Sequence, residues 1–376
     1  MRAGYGEKIR DFFAHNTNPM LLVDFAGVKI FDSATVDTNI LLFEKSTNKH
    51  FTICSVTKDQ GKNSINNLSD FVRQQHTICD FCTSDSWVVL SPIEQSIKRK
   101  IEAVGTPLKD WDIKINYGIK TGCNEAFIIS TDKRNEILSN CKDAEERKKT
   151  EELIRPILRG RDIKRYGYEW AGVYLIATFP SRNYDIEQYP AVKKYLLSYA
   201  DSYLRSSKCD DIANEYLAEF CHQKLAQTGK IVVIDGNEVI ISGKKEKARK
   251  KTSNKWFETQ DSISYWEDFN KPKLFYADIT QHLSFCLCRD VMYCNNTTYF
   301  ITTDNERELR HLQKYLNSPL IDWYYKTLSV QLGEKAVRMF SIYVLEIPIP
   351  PIGEDNIYEA YHLNAKEIAF IEGKEA

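Results

Sequence analysis

Two short segments of the chain carry side chains whose types and spacing suit contact with nucleic acid. The first is NYGIKTGCNEAFII, residues 116–129, a glycine-punctuated turn followed by a short apolar strand. Lysine can donate to the acceptors of guanine, asparagine can pair with adenine, and threonine can serve either base. The candidate base contacts on this turn are therefore Tyr117, Lys120, Thr121 and Asn124.

The second segment is IRPILRGRDIKRY, residues 154–166, in which positive charge is concentrated. Arginine and lysine neutralise DNA phosphates and release their counterions. The cations predicted to hold phosphates are Arg159, Arg161, Lys164 and Arg165, with Arg155 just before them and only Asp162 opposing them. An alternative interpretation is a solvated face whose cations form ion pairs within the molecule.

A third basic feature is the run KKEKARKK, residues 244–251, which contributes the candidates Lys244, Lys245, Arg249 and Lys250. It follows KIVVIDGNEVIIS, residues 230–242, whose alternating apolar positions around Asp235-Gly236 predict a hairpin. The run is interpreted as an arm that follows phosphates, or as a solvated loop. Three such features in one region favour nucleic-acid binding.

The elements that must position these residues are short and mixed. Apolar spacing predicts helices over residues 7–15, 64–75, 93–104, 191–204, 306–316 and 320–328, and strands over 20–25, 36–43, 273–276, 285–287 and 299–301. Because NILLFEK, residues 39–45, is largely apolar, we expect its strand to be covered on both faces. Gly105 and Pro107 end a helix and mark a domain boundary. The pattern predicts an α+β or mixed α/β fold.

The composition is that of an ordinary globular protein, with 43% hydrophobic and 27% charged residues and a net charge of −1. The sequence shows neither an export signal nor an apolar run long enough for a membrane span, which predicts a cytoplasmic protein. Its ten cysteines are then expected to be reduced thiols. The pair Cys79 and Cys82 lies about 200 residues from Cys286, so no metal site is predicted.

Two short motifs are similar to cofactor-binding and catalytic motifs, but both are incomplete. Gly4-Tyr5-Gly6 is preceded by too few residues for the strand that a cofactor-binding loop needs. Asn18-Pro19 lacks the second proline and the aromatic residue of the segment that amino-methyltransferases use on flipped bases, so Pro19 is interpreted as a helix breaker. We therefore predict no catalytic residue.

Several of these segments, in order, resemble the TaqI-like specificity domain of adenine-specific restriction-modification methyltransferases of type IIG. Residues 1–45 look like the last helix and strands of the catalytic domain in that family. The later blocks are NYGIKTGCNEAFII, IRPILRGRDIKRY, KWFETQDSISYWEDFNKPKLFYADI, TTYFIT, YLNSPLIDWYY and FSIYVLEIPIPP.

The resemblance implies a remnant of a Rossmann-like methyltransferase domain (residues 1–50) and a mixed α/β DNA target-recognition domain (111–350). The residue pattern predicts a helical connector between them (51–110), and the charge pattern predicts an acidic C-terminal tail (351–376), interpreted as a solvated end. It implies N6-adenine methyl transfer with S-adenosylmethionine for the full-length parent. The cofactor loop and the Asn-Pro-Pro-Tyr segment are expected upstream, so this chain alone is predicted to be inactive, to hold no cofactor and to bind double-stranded DNA.

Two other interpretations stay open. The chain could be an interaction subunit that docks on a separately encoded methyltransferase or nuclease, with its first 45 residues as an exposed apolar edge that the partner completes. A complete enzyme is the third, and it would need a cofactor loop that the sequence does not show. Tight binding of S-adenosylmethionine to this chain would favour that third interpretation.

Overall fold

Short helices and strands alternate along the chain. A computed structural model describes residues 6–25, 30–31, 38–57, 67–201, 204–206, 231–234, 237–241, 254–255, 257–329, 331–332, 336–353 and 356–374. The helices are α1 (Glu7–Asn16), α2 (Leu68–Gln74), α3 (Pro92–Val104), α4 (Asn124–Phe127), α5 (Thr131–Ser139), α6 (Ala144–Leu153), α7 (Pro190–Asp201), α8 (Glu306–Leu316), α9 (Pro319–Leu328), α10 (Ser341–Val344), α11 (Ile357–Ala360) and α12 (Ala365–Ile371).

The strands are equally short. They are β1 (Asn18–Asp24), β2 (Asn39–Glu44), β3 (Thr52–Val56), β4 (Thr77–Cys79), β5 (Thr106–Pro107), β6 (Lys114–Tyr117), β7 (Ile128–Ser130), β8 (Ile154–Leu158), β9 (Ile163–Lys164), β10 (Gly167–Tyr168), β11 (Val173–Ile176), β12 (Leu204–Ser206), β13 (Ile231–Ile234), β14 (Asn237–Ile241), β15 (Lys273–Ala277), β16 (Ile279–Thr280), β17 (Phe285–Cys288), β18 (Tyr293–Cys294), β19 (Thr298–Thr302), β20 (Gln331–Leu332), β21 (Ala336–Arg338) and β22 (Pro348–Ile349). This mixture confirms the coarse prediction of a mixed α/β chain.

The residues group into two units. The first comprises Met1–Asp112, Ile279–Leu283 and Lys314–Ala376, and the second comprises Ile113–Asp278 and Ser284–Gln313. The boundaries of these units differ from the predicted domain boundaries, because strands from both sides of residue 50 pair in one sheet. The predicted domain ranges concern the modules of the family and stay a prediction.

In the first unit, a four-stranded sheet has the order β2-β1-β3-β4, with β1 parallel to β3 and antiparallel to β2. Its core includes Leu22 and Cys54 with the stacked rings of Phe81 and Trp87, whose centroids lie 4.7 Å apart. The helix α3 begins at a capping box on Ser91 and ends at Gly105, close to where the sequence predicted. That this sheet is a Rossmann-like remnant stays a prediction.

The strand β2 corrects one expectation. It lies at the edge of its sheet and pairs with β1 alone among the described strands, and several of its apolar side chains are exposed instead of covered. Ile40, Leu42 and Phe43 are 42%, 52% and 46% exposed. An apolar run alone does not distinguish a central strand from an uncovered edge.

The C-terminal residues correct a second expectation, because they are not simply a solvated acidic end. Tyr361 is fully buried, and its hydroxyl donates to the Pro348 carbonyl over 2.8 Å. Glu367 on α12 is also buried; it accepts from Lys100 and Ser96 of α3, both at 2.7 Å. Hydrophobic and paired polar contacts therefore hold this segment within the first unit.

The second unit contains two four-stranded sheets. One has the order β18-β8-β11-β7, with β18 parallel to β8, and the other has the order β17-β15-β19-β6 and is antiparallel throughout. Phe127, Phe275 and Phe300 are fully buried in their common core. The strands β13 and β14 pair as the predicted hairpin, with Ile234 opposite Asn237, while the turn residues Asp235 and Gly236 lie outside the described residues.

Candidate nucleic-acid interface

The turn after β6 rests on residues 294–298, which we name the linking segment. The Gly118 amide donates to the Thr298 carbonyl and the Ile119 amide to the Cys294 carbonyl, each over 2.8 Å. A Cβ on Gly118 would lie 1.9 Å from the Asn295 carbonyl oxygen, so only glycine permits this approach. The second glycine of the turn, Gly122, adopts a left-handed φ of 81°.

Two of the four predicted base-contacting side chains are used inside the protein. Thr121 is 1% exposed; its hydroxyl donates to Asn124 Oδ1 over 2.8 Å and accepts from the Cys123 amide over 3.1 Å. The Tyr117 hydroxyl donates to the Asn296 carbonyl over 2.5 Å. These side chains shape the turn, and we remove both from the candidate DNA contacts.

The other two predicted residues of the turn are exposed. The Lys120 ammonium lies 4.9 Å from the centroid of the Tyr117 ring and forms no ion pair with a residue that the structure describes. The Asn124 oxygen is occupied by Thr121, while its amide group has no acceptor among the described residues. Lys120 and Asn124 are thus donors that a base edge could meet.

The basic segment after β8 begins with an ion pair. Arg159 donates through Nε and Nη2 to the two carboxylate oxygens of Asp162, each over 2.9 Å, and the Arg159 amide donates to the same carboxylate. The two side chains are 20% and 6% exposed. Paired and bidentate, this guanidinium holds the 3₁₀ turn Gly160–Asp162 and is poorly placed to hold a phosphate as well.

The remaining predicted phosphate contacts, Arg161, Lys164 and Arg165, are exposed. Lys164 donates to the Arg161 carbonyl over 3.0 Å and lies 3.6 Å from a Glu169 carboxylate oxygen, a weak surface pair. Arg161 forms no ion pair with any described residue, so its full charge faces solvent. The four predicted cations therefore differ. Arg159 stabilises the turn, whereas Arg161 is the cation best placed to contact a phosphate.

The linking segment joins the two predicted segments. On one side it contacts Ile119, and on the other the Asn295 amide donates to the Leu158 carbonyl over 2.9 Å. The Gly160 amide donates to Thr297 Oγ1 over 2.8 Å. With about 4.8 Å between paired strands, the backbones of Ile119 and Leu158, which flank Asn295, lie about 10 Å apart.

Sequence reasoning missed the linking segment. The polar run Asn295-Asn296-Thr297-Thr298 between apolar strands is the feature from which it could have been predicted. The sequence analysis considered this region only for its cysteines and for its resemblance to the family. The basic run with Lys244, Lys245, Arg249 and Lys250 lies outside the described residues.

The cysteines are mainly buried thiols. The eight described cysteines are free, and burial raises the pKa of Cys286 to about 12, well above that of a reactive thiol. In the first unit, Cys82 lies instead beside an exposed hydrogen-bonded pair, with His50 Nδ1 3.0 Å from Asp80 Oδ1.

Residues 155–349 match the TaqI-like C-terminal specificity domain, which is more than half of the chain. The chain belongs to this family. It is 22% identical over 269 residues to the type II methyltransferase M.PaeR7I of Pseudomonas aeruginosa, covering 71% of this chain and 37% of that protein. The chain thus spans well under half of this relative.

Two solved structures are also similar. The type IIG restriction endonuclease BpuSI matches with a TM-score of 0.40 and 10% identity, over 99% of this chain and 40% of that one. The type IIL restriction-modification enzyme MmeI in complex with DNA matches with a TM-score of 0.44 and 11% identity, over 95% and 38%. None of the helices that the structure describes is long and apolar enough to cross a membrane.

Proposed function

We propose that this chain is the sequence-recognition portion of a restriction-modification DNA methyltransferase that modifies the N6 of adenine. Membership of the specificity-domain family supports DNA as the ligand. The observation that carries the proposal is the linking segment, which brings Lys120 and Arg161 to its two sides. Both cations are exposed and have no carboxylate partner among the described residues.

The exposed side chains have two different roles, contact with bases and contact with phosphates. Lys120 and Asn124 approach base edges in the major groove, where lysine reads guanine and asparagine reads adenine. Arg161, Lys164 and Arg165 hold backbone phosphates, which fix the register of the duplex without reading its sequence. Arg159 acts indirectly, because its ion pair with Asp162 fixes the turn that presents Arg161.

Asn18 does not fit the role of a catalytic asparagine. Asn18 is 3% exposed, and its side-chain oxygen accepts from the Lys49 amide over 3.0 Å, which leaves it no role at a flipped base. Pro19 stands in β1, directly after the end of α1, as the helix-breaker interpretation predicts. The methyl transfer of the proposed parent is therefore assigned to no residue of this chain.

A second candidate function is a subunit that docks on a separate methyltransferase or nuclease. The exposed edge strand β2 favours it, because its backbone edge and its apolar side chains Ile40, Leu42 and Phe43 could be covered by a partner chain. This docking is compatible with DNA recognition by the second unit. Co-purification with a methyltransferase encoded beside this chain would favour it.

Selection from a library of random duplexes tests the proposed reading of sequence. We expect the wild-type chain to enrich one short motif. Asn124→Ala should relax the motif at one position, at about 1–3 kcal/mol of discrimination, whereas Arg161→Gln should weaken binding to all duplexes about equally. Arg307→Gln, which removes an exposed arginine of α8, is the matched control. Enrichment of no motif by the wild-type chain would overturn the proposal.

A further inference from the structure

A small polar cavity lies in the second unit at the start of β8, at the opposite end of that strand from Arg161. Its volume is about 110 Å³. The C-terminal turn of α6, the start of β8, residues 177–189 and the 3₁₀ helix Trp266–Asn270 enclose it. Since a water needs only about 10–15 Å³ of such volume, the cavity has room for a small polyatomic ion.

Two guanidinium groups line this cavity, and no carboxylate of the described residues pairs with either. Neither Arg155 nor Arg182 donates a side-chain hydrogen bond or forms an ion pair within the part of the chain that the structure describes. The guanidinium of Arg182 lies over the Trp266 ring, 3.9 Å from its centroid. This cation–π contact leaves the N–H donors of the group unused. The Glu152 side chain also lines the cavity, but it pairs with neither arginine.

Three phenol groups line the same cavity. The hydroxyls of Tyr184, Tyr189 and Tyr293 have no hydrogen-bond partner among the described residues, although Tyr293 is only 5% exposed. Burial raises the pKa of each of the three, so the hydroxyls stay protonated donors at neutral pH. Tyr184 and Tyr189 are half-buried and Tyr293 is buried, so their hydroxyls line a space in which a ligand could accept from all three.

We propose that this cavity binds a phosphate group, at a site separate from the Arg161 segment. Phosphate offers several strong acceptor oxygens, and arginine forks match its geometry with paired hydrogen bonds. A carboxylate has too few oxygens to satisfy two guanidinium groups and three phenols together. The phosphate belongs either to the backbone of bound DNA, which rests on the proposed function, or to a free nucleotide.

Calorimetric titration of the full chain with inorganic phosphate, in chloride of matched ionic strength, tests the site. We expect saturable binding that Arg182→Gln and Arg155→Gln each weaken about 10- to 100-fold, as for loss of a charged hydrogen bond. Tyr184→Phe removes one hydroxyl only and should weaken binding several-fold without disturbing the fold. Arg307→Gln is the matched control and should bind phosphate like the wild type.

Two further titrations distinguish the sources. If the phosphate comes from DNA, Arg182→Gln weakens duplex binding, and inorganic phosphate competes with the duplex. If it comes from a free nucleotide, deoxyadenosine monophosphate binds more tightly than inorganic phosphate, and Arg182→Gln leaves duplex binding unchanged. Equal phosphate binding by Arg182→Gln and Arg307→Gln, or no binding by the wild type, would overturn the site. Failure of the proposed function would appear separately, as absence of duplex binding by the wild type.

Discussion

Gly118 is the residue on which the geometry of the candidate interface depends most. Its Cα approaches the backbone of Asn295 and Thr298 so closely that a methyl group would overlap two carbonyl oxygens, at 1.9 and 2.7 Å. Neither atom belongs to a flexible side chain that could move aside. The turn that presents Lys120 and the linking segment must therefore separate if this position carries a side chain.

We predict that Gly118→Ala lowers the free energy of unfolding by about 1–3 kcal/mol or more, because the overlap forces the backbone to shift. Gly167→Ala is the matched control, since a Cβ there would meet nothing within 4 Å. Its effect should stay within about 0.5 kcal/mol. Urea denaturation of both variants measures the difference. Equal stability of the two would show that the turn does not rest on the linking segment as described.

At the same scale, the sequence predicts residue types better than it predicts their availability. Lys120 and Arg161 are exposed, as a DNA contact requires, whereas Thr121 is buried. Arg159 is held by Asp162, three residues later, and such a pair depends on the φ and ψ angles of a 3₁₀ turn. The sequence alone does not distinguish Arg159 from Arg161, because the folded backbone determines where each side chain points.

At the scale of elements, the packing of α12 against α3 gives the first unit a pH-dependent contact. Burial disfavours ionisation of Glu367, but hydrogen bonds from Lys100, the Asn364 amide and Ser96 together bring its pKa below 4.5. The folded state thus binds this proton less readily than the unfolded chain. The ionised Glu367 carboxylate therefore stabilises the folded state. This stabilisation is fully present above about pH 4.5 and is lost as the pH falls through the lowered pKa.

We predict that Glu367→Gln destabilises the chain by about 1–3 kcal/mol at neutral pH, because it leaves the half-buried ammonium group of Lys100 without its charged partner. The difference from the wild type should shrink as the pH falls below about 4.5. Glu359→Gln, an exposed change on the neighbouring α11, should show neither effect. Denaturation across this pH range checks both variants. A pH-independent difference for Glu367→Gln would contradict the assigned contact.

The same scale shows where sequence periodicity is sufficient. The helix α3, the pair α8 and α9, and the hairpin β13–β14 appear close to where apolar spacing and turn residues predict them. The edge position of β2 and the burial of α12 were not predicted. Both depend on which distant element covers a surface, and local spacing does not carry that information.

At the scale of the whole molecule, a nearly neutral chain still has cations that no described carboxylate neutralises. The net charge is −1, and many of the described cations pair with nearby acids, as Lys149 does with Glu145. Arg161 and Lys120, together with the two arginines of the cavity, form no such pair with a described residue. Steering of DNA depends on such local charge and not on the sum.

The two proposed functions are assigned to different units of the chain. The docking surface is the apolar edge of β2 in the first unit, and the proposed DNA contacts lie in the second unit. The two kinds of contact depend oppositely on salt. Salt weakens electrostatic contact with phosphates, whereas it does not weaken, and with some salts strengthens, apolar contact at a sheet edge.

The salt dependence of duplex binding tests the central claim most directly. Fluorescence anisotropy with one labelled duplex, between about 50 and 200 mM salt, should give a steep linear loss of log affinity for the wild type. Arg161→Gln should reduce the magnitude of that slope by about 1, whereas Arg307→Gln should leave it unchanged. An identical slope for the wild type and Arg161→Gln would contradict the placement of DNA across the linking segment.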